Sequence, residues 1–343
     1  MKINLNIRRY NPEGQEGSYW QTYDLEVPEH FTVLDALMQV REEIDGTLGL
    51  RCSCRSAICG SCAMRINGHA KLACKTRITA LAQEKESDPR HQQAQAKSLE
   101  IRVEPMGNMP VIKDLIADMT PFWNKVRQVT PWLQTEGPPP EREYQVPNEA
   151  MEHLTGVMAC IMCGACVSDC TVLEAELKQN KPYEETFIAP AALAKAYRFV
   201  GDPRDARQKE RLLKLSEPTG IYDCTHCFEC VEVCPKGVAP MDRILKMREI
   251  AVEQHGIANN TGARHAKAAE FSIKASGRNY ELTFYPKSVG MFNAKELIPV
   301  MPTGISLMRK AGTHLVLPHK AKKADKIKRV FKKFESKDRR RSK

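Results

Sequence analysis

Thirteen cysteines fall into three groups, separated by long stretches that hold none. The first group is Cys52, Cys54, Cys59, Cys62 and Cys74. The second is Cys160, Cys163, Cys166 and Cys170, and the third is Cys224, Cys227, Cys230 and Cys234. Sulfurs at such short fixed spacings must converge on something. Disulfides do not suit this chain. Its N-terminus, Met1 to Arg9, lacks the apolar core of a signal peptide. No stretch reaches the roughly 18 apolar residues of a membrane span. The expected place is the cytoplasmic side of the cell membrane, peripherally, or the cytoplasm itself. Thiols stay reduced there, and grouped cysteines bind metal.

Cys54, Cys59 and Cys62 keep the C-x4-C-x2-C spacing with which one loop holds a plant-type [2Fe–2S] cluster, the fourth ligand lying further along. Cys74 is the nearby candidate for that ligand. Gly60 and Ser61 are small enough to let backbone amides approach the cluster sulfurs, and such hydrogen bonds tune a potential. Zinc sites show paired C-x2-C knuckles, which the step from Cys54 to Cys59 does not fit. Cys52 is left over and reads as a bystander thiol. Both later groups read C-x2-C-x2-C-x3-C. In that run three cysteines hold one [4Fe–4S] cluster and the fourth reaches the other. Pro235 follows Cys234 as the run expects, whereas Thr171 follows Cys170. Two runs predict crossed ligation. One [4Fe–4S] cluster takes Cys160, Cys163, Cys166 and Cys234. The second takes Cys170, Cys224, Cys227 and Cys230. The metal throughout is iron, and no catalytic residue is assigned.

The segments around these groups predict an α+β fold. Ile3, Leu5 and Ile7 alternate as in a half-buried strand, and Tyr19 to Val27 repeats the pattern. Thr32 to Ile44 has helical spacing, with Thr32 and Asp35 in an acidic capping box. Ala63–Ile66, the turn Asn67-Gly68 and Ala70–Cys74 predict a hairpin. Leu99–Glu104 is a last strand. This order is that of a β-grasp [2Fe–2S] ferredoxin domain over residues 1–106. A helix over Val111–Phe122 and the Pro-rich linker Glu136–Pro140 fill residues 107–150. Residues 151–250 predict an all-α two-cluster ferredoxin domain, with helices over Ala191–Phe199, Pro203–Leu215 and Met241–His255. Residues 251–319 read as a helical and irregular C-terminal extension, with a helix pair across His255–Lys274. Residues 320–343 read as a basic amphipathic tail.

The stretch Cys54-Arg55-Ser56-Ala57-Ile58-Cys59-Gly60-Ser61-Cys62-Ala63-Met64 resembles the [2Fe–2S] loop of succinate dehydrogenase and fumarate reductase iron–sulfur subunits. Pro110 to Met119 resembles the helix after that domain. Tyr197-Arg198-Phe199 with Asp202-Pro203-Arg204-Asp205 resembles a further family segment, and Cys224, Cys230 and Cys234-Pro235-Lys236 resemble the last cluster motif. The resemblance runs in order over about residues 1–250. It implies an electron-transfer subunit of a succinate:quinone oxidoreductase in the tricarboxylic acid cycle. Such a subunit passes electrons from a flavoprotein, which alone carries FAD, to a membrane-associated quinone-reactive partner. The [2Fe–2S] cluster would face the flavin, the Cys160 cluster would lie in the middle, and the Cys170 cluster would be distal. The chain has no Gly-rich phosphate loop and no acid–base constellation of its own. The same role in a quinol- or thiol-linked fumarate reductase is the alternative, as is a heterodisulfide-reductase-like subunit. The β-grasp domain argues against the last.

Two departures from the family matter. Most members hold a distal [3Fe–4S] cluster because an apolar residue replaces one cysteine of the last motif. Here that position is Cys227, which predicts a distal [4Fe–4S] cluster, with [3Fe–4S] as the alternative. The Pro and Trp pair that many members carry after the counterpart of Cys170 is here Thr171-Val172-Leu173-Glu174, so the usual quinone pocket is not expected. Arg278 through Met308 resembles part of the small cluster subunit of heterodisulfide reductases. Members so extended often pair with a CCG-type cysteine-rich protein.

The formal charge of +10 at first suggests nucleic acid. Its distribution excludes that reading. The tail from Lys320 to Lys343 holds 13 Lys and Arg against 3 Asp and Glu, and the rest of the chain is balanced. Ile327, Val330, Phe331 and Phe334 fall on one stripe of this cationic segment. It fits an anionic membrane surface or a solvated basic tail.

Overall fold

The computed structural model describes residues 1–14, 17–87, 98–279, 281–311 and 320–341. Tyr280 of the 278–308 segment, residues 312–319 of the extension and the last two tail residues lie outside them. The chain divides into two compact units, Met1–Met247 and Arg248–Lys343.

The first unit opens with a mixed sheet. Strands β1 (Lys2–Arg9), β2 (Tyr19–Glu26), β3 (Ala63–Ile66), β4 (His69–Leu72) and β5 (Leu99–Glu104) take the spatial order β2-β1-β5-β3-β4. The β1–β5 pair is parallel and the other pairs are antiparallel. Alternation dictates the buried face: Ile3, Leu5, Ile7, Ile66, Ile101 and Val103 are essentially inaccessible to water. Each such side chain contributes roughly 1.5–3 kcal/mol on burial. Helix α1 (Val33–Gln39) begins at the expected capping box, where Thr32 accepts from the Asp35 amide and Asp35 accepts from the Thr32 amide. It continues as a wider π-helical turn over Val40–Ile44. Helix α2 (Ile78–Ser87) follows the hairpin. The strand, hairpin and capping-box expectations hold, and the fold is α+β.

Val111–Phe122 is not a helix. It forms a short hairpin, β6 (Val111–Lys113) and β7 (Ile116–Ala117), and helix α3 starts only at Thr120 and runs to Gln128. The cause is Asp114. It sits at φ +46, which ends a right-handed helix there. Its carboxylate, 2% exposed, accepts from Arg9 Nε (2.9 Å), Tyr10 N (3.0 Å) and Gly49 N (2.8 Å). Arg9 itself is 4% exposed and also pairs with Asp45 at 2.6 Å. These bonds hold Asp45 well below the usual carboxylate range: Thr47 contributes most, then the Tyr23 hydroxyl and Arg9.

The helical part of this unit comprises α4 (Asn148–Met158), α5 (Ala165–Ser168), α6 (Thr171–Lys178), α7 (Pro190–Val200), α8 (Gln208–Leu215), α9 (Glu229–Glu232) and the start of α10 (Pro240–Glu253). Helix α7 is small-residue-rich and almost wholly buried. Helix α8 starts five residues later than the expected Pro203, because two buried carboxylates hold the preceding chain in turns. Asp202 takes Arg198 and Arg204. Asp205 takes Arg211, whose other N–H groups reach the carbonyls of Val129, Thr130 and Trp132 just past α3.

A dense set of hydrogen bonds joins the sheet and the helices at one strip of chain. Ser168 Oγ accepts from Gly107 N at 2.9 Å, and Asp169 accepts from Ala70 N at 2.7 Å. The Asn108 amide donates to the carbonyls of Val167, Ser168 and Cys170. A Cβ at Gly107 would lie 2.6 Å from the Ser168 carbonyl oxygen, so glycine is required there.

In the second unit, α11 (Thr261–Ser276) is one long helix where a pair was expected. Asn260 caps its start and Gly277, at φ +80, ends it. Helix α12 (Glu281–Val289) lies against it, and α13 (Ala294–Leu297), α14 (Met301–Ala311) and α15 (Ala324–Arg341) follow.

Replacing Asp114 by alanine leaves the buried Arg9 charge without its main partner. The expected loss is about 3–5 kcal/mol, read as a fall in the urea midpoint. An unchanged midpoint would show that this pair holds nothing together.

Candidate iron–sulfur centres

The loop from Cys54 to Cys62 turns its amides inward because Arg55, Ala57 and Gly60 all adopt left-handed conformations. Cys54 Sγ receives the amides of Ser56 (3.3 Å), Ile58 (3.4 Å) and Cys59 (3.3 Å). Cys74 Sγ receives Ala57 N at 3.3 Å, and Cys62 Sγ receives Cys74 N at 3.5 Å. Cys59 Sγ receives Cys54 N at 3.5 Å. The four predicted sulfurs thus share one nest of N–H groups, although Cys74 comes from beyond the hairpin. The Ser61 side chain, with the amides of Cys54 and Ser61, pulls the Cys59 thiol down to about 6. Burial pushes Cys62 up to about 12. Cys52 faces elsewhere, its sulfur 3.8 Å from Met38 Sδ.

The two later runs repeat each other residue for residue. Two places after the first cysteine stand Met162 (φ +54) and His226 (φ +60). Four places after it stand Gly164 (φ +82) and Phe228 (φ +66). Each left-handed pair is followed by a one-turn helix, α5 or α9, carrying the third cysteine. Gly164 has a second reason for lacking a side chain: a Cβ would meet the methyl ends of Met109 and Met106 at about 3 Å.

The charges acting on the five raised thiols follow the predicted crossed sets except at Cys166, on which Cys230 of the other set ranks second. Burial raises every thiol that shifts. Beyond burial, Cys160 and Cys163 feel Cys234, and Cys166 feels Cys163, Cys160 and Cys234. Cys170 feels Cys227 and Cys224, and Cys230 feels Cys224, Cys170 and Cys227. Cys166 also feels Cys230, so the two sets are neighbours. One apolar cavity is lined by Cys160, Cys163, Cys166 and Cys234 together, closed by Ala191, Ala194 and Pro235. Val238 N donates to Cys234 Sγ at 3.3 Å. The amides of Val172 and Leu173, at the start of α6, serve Cys170.

This donor chemistry fits clusters better than single ions. Sulfur-only sets, lined by amides, suit the extended sulfur frame of an iron–sulfur cluster. Among the described residues no three His, Cys, Asp or Glu side chains close around a single metal ion.

The first centre touches the second. A Cβ at Gly60 would stand 2.8 Å from Cys163 Cβ, so the [2Fe–2S] loop lies directly on the first run. A cavity of about 180 Å³ beside this contact is lined by Cys59, Gly60, Ser61, Met119, Trp123 and Cys163.

Two family models match the chain. One is the 2Fe-2S iron-sulfur cluster binding domain, over residues 4–124. The other is the 4Fe-4S dicluster domain, over residues 156–238. The succinate dehydrogenase iron-sulfur subunit of Paracoccus denitrificans is 34% identical over 251 residues, covering 73% of this chain and 88% of that protein. The chain belongs to the succinate dehydrogenase and fumarate reductase iron–sulfur subunit family. A fumarate reductase iron-sulfur subunit of Mycobacterium tuberculosis is also 34% identical, over 72% of this chain and 92% of its own length. The family's architecture recurs in a chain of the Mycobacterium smegmatis Sdh1 complex in the apo form. The TM-score is 0.60 at 24% identity, covering 74% of this chain and 96% of that one.

Reading the sequence located the cysteines but missed the groups that hold the centres in place. Asp169 and Asn108 gave no local signal beyond being polar residues next to apolar ones.

Gly60→Ala should cost about 1–2 kcal/mol for its left-handed backbone, plus the clash with Cys163. Gly68→Ala is the control, since Gly68 is also left-handed (φ +86) but faces open space. The [2Fe–2S] signal recovered on reduction should fall much further in Gly60→Ala. Equal losses would mean that the contact adds nothing to the strain.

Proposed function

We propose that this chain is the electron-transfer subunit of a succinate dehydrogenase complex. It would link a flavoprotein to a membrane-associated, quinone-reactive subunit. The observation that carries the reading is the near-contact of Gly60 with Cys163, which joins the first sulfur nest to the crossed pair behind it. We assign Cys54, Cys59, Cys62 and Cys74 to a [2Fe–2S] cluster, and Cys160, Cys163, Cys166 and Cys234 to a [4Fe–4S] cluster. Cys170, Cys224, Cys227 and Cys230 are assigned to a second [4Fe–4S] cluster. When bound, the three clusters supply one-electron carriers in series, with dicarboxylate chemistry left to the flavoprotein. The chain's own residues hold, desolvate and donate N–H groups to the sulfurs. Such hydrogen bonds and burial set potentials. Because a fumarate reductase relative is equally similar, the reverse direction is the second reading. Measured potentials of the three centres against the succinate couple decide it.

Cys227 is exposed, at the outer edge of its set. It lies near enough to Cys170 and Cys230 for its charge to raise both thiols, which supports a full four-cysteine site. The purified complex should contain about ten irons in this chain and give no three-iron EPR signal when oxidised. Cys227→Ala should lose one iron and gain that signal. A strong three-iron signal in the unaltered protein would overturn the assignment.

Among the described residues no helix is long and apolar enough to cross a membrane. We infer peripheral attachment on the cytoplasmic face. The resemblance of residues 278–308 makes a CCG-type cysteine-rich protein the partner we infer. Helix α15 qualifies the apolar stripe expected of the tail. Ile327 lies beside Gly277, 3.1 Å from where a Cβ would stand, so it serves packing on α11. Val330 and Phe334 stay 54% and 63% exposed amid the cations. They would enter an anionic lipid surface, with roughly 1 kcal/mol from each nearby cation. Full-length protein should sediment with phosphatidylserine vesicles at low salt, and V330D/F334D should largely abolish this. No binding by the unaltered chain would eliminate the lipid role.

A further inference from the structure

Lys125, on α3, is 3% exposed, yet its ammonium meets no carboxylate among the described residues. It donates to the carbonyls of Thr186 (2.9 Å) and Phe187 (3.0 Å) and lies 4.9 Å from the centre of the Tyr183 ring. The nearest acids are otherwise engaged. Glu176 takes Lys181 at 2.6 Å and the Phe187 amide at 2.7 Å, and Glu184 acts only at a distance. A buried cation is tolerated only with an anionic partner. Burial pulls Lys125 down to about 8 even with those acids nearby. Glu176, Glu184 and the Cys170 thiolate oppose that fall, and Lys181 adds to it.

Tyr183 supplies the second observation. Its hydroxyl is buried and has no hydrogen-bond partner. Burial, and then the Cys170 charge, raises this phenol. An unpaired buried hydroxyl costs about 1–3 kcal/mol. An acceptor lying outside the protein atoms would remove that cost. The Cys170 charge therefore acts on both a buried cation that has no carboxylate partner among the described residues and a buried hydroxyl that has no hydrogen-bond partner. That sulfur is 4% exposed and already serves as acceptor for two α6 amides.

We propose that Lys125 and Tyr183 are positioning residues for the iron centre of Cys170, Cys224, Cys227 and Cys230, a buried cation and a free hydroxyl that raise its reduction potential selectively. The inference rests on the cysteine assignment made above. Reduction adds one electron to that centre. A fixed positive charge and a donated hydrogen bond both favour the more negative state. Lys125 and Tyr183 are not among the groups that act on Cys160, Cys163 or Cys166, where the lysine nearby is Lys195, so the effect is local. The consequence is an acceptor end held more oxidising than its sulfur ligands alone would make it.

The test is an EPR-monitored redox titration of the intact complex carrying Lys125→Met, Lys125→Arg or Tyr183→Phe. Lys125→Met removes the charge and keeps the length. It should weaken reduction of the distal centre about tenfold, which is ~59 mV for a one-electron couple. Tyr183→Phe removes only the hydroxyl and should shift the same centre the same way by a smaller amount. Lys125→Arg should stay near the unaltered value. The [2Fe–2S] and middle-centre potentials should not move. Unchanged distal potentials with all signals present would overturn the proposal, as would an equal shift of all three centres. If Lys125→Met does not assemble, Tyr183→Phe decides alone: a selective fall supports the pair and no shift overturns it. Absence of any third signal in the unaltered complex would instead overturn the cysteine assignment itself.

Discussion

On the ligand assignment proposed above, two cysteine runs more than fifty residues apart in sequence deliver sulfurs to each other's site. This crossing is the constraint on which the first unit depends. Cys166 and Cys230 act on one another at the middle of it. Burial raises five of these eight thiols, which as free thiolates would be costly to bury. Iron makes such burial favourable, and metal affinity becomes folding energy. Helix α7 serves this arrangement by carrying four alanines among its eleven residues. Ala191 and Ala194 allow the cavity wall to approach the sulfurs closely.

Much of this was legible in the chain because it depends on short spacings. The cysteine steps, the Asn67-Gly68 turn and the Thr32/Asp35 cap are local rules, and the structure obeys them. The errors lie where a distant partner overrides a local pattern. Val111 to Phe122 has helical spacing, but Asp114 answers to Arg9, 105 residues away. Residues 203–207 were expected to be helical, but Asp202 and Asp205 bind arginines from neighbouring turns. Lys125 looks like any helix lysine in sequence. Its burial is decided by Thr186, Phe187 and Tyr183, which local spacing cannot bring to it.

The strip Ser168-Asp169-Cys170 couples these two kinds of order. Its side chains and carbonyls are held by residues of the sheet hairpin and by Gly107 and Asn108. The sheet therefore positions Cys170, which we assign to the second [4Fe–4S] cluster, through the short strip of chain before it. Damage to the hairpin would reach that centre without touching any ligand. The net charge of the whole chain, by contrast, says nothing about this machinery, because the surplus lies in the tail.

The repeated backbone of the two runs has one further meaning. Met162 and Gly164 in the first, and His226 and Phe228 in the second, trace the same path. Identical cradles present their ligands alike, so on their own they would make two equivalent carriers. The couples at the two ends of a relay set its sense of flow, and a difference between the carriers has to come from whatever breaks the duplication: a glycine ringed by methionines in one run, a half-exposed phenylalanine in the other, and the side chains packed beside each set. The asymmetry of the molecule, more than its symmetry, is where its physiology is written.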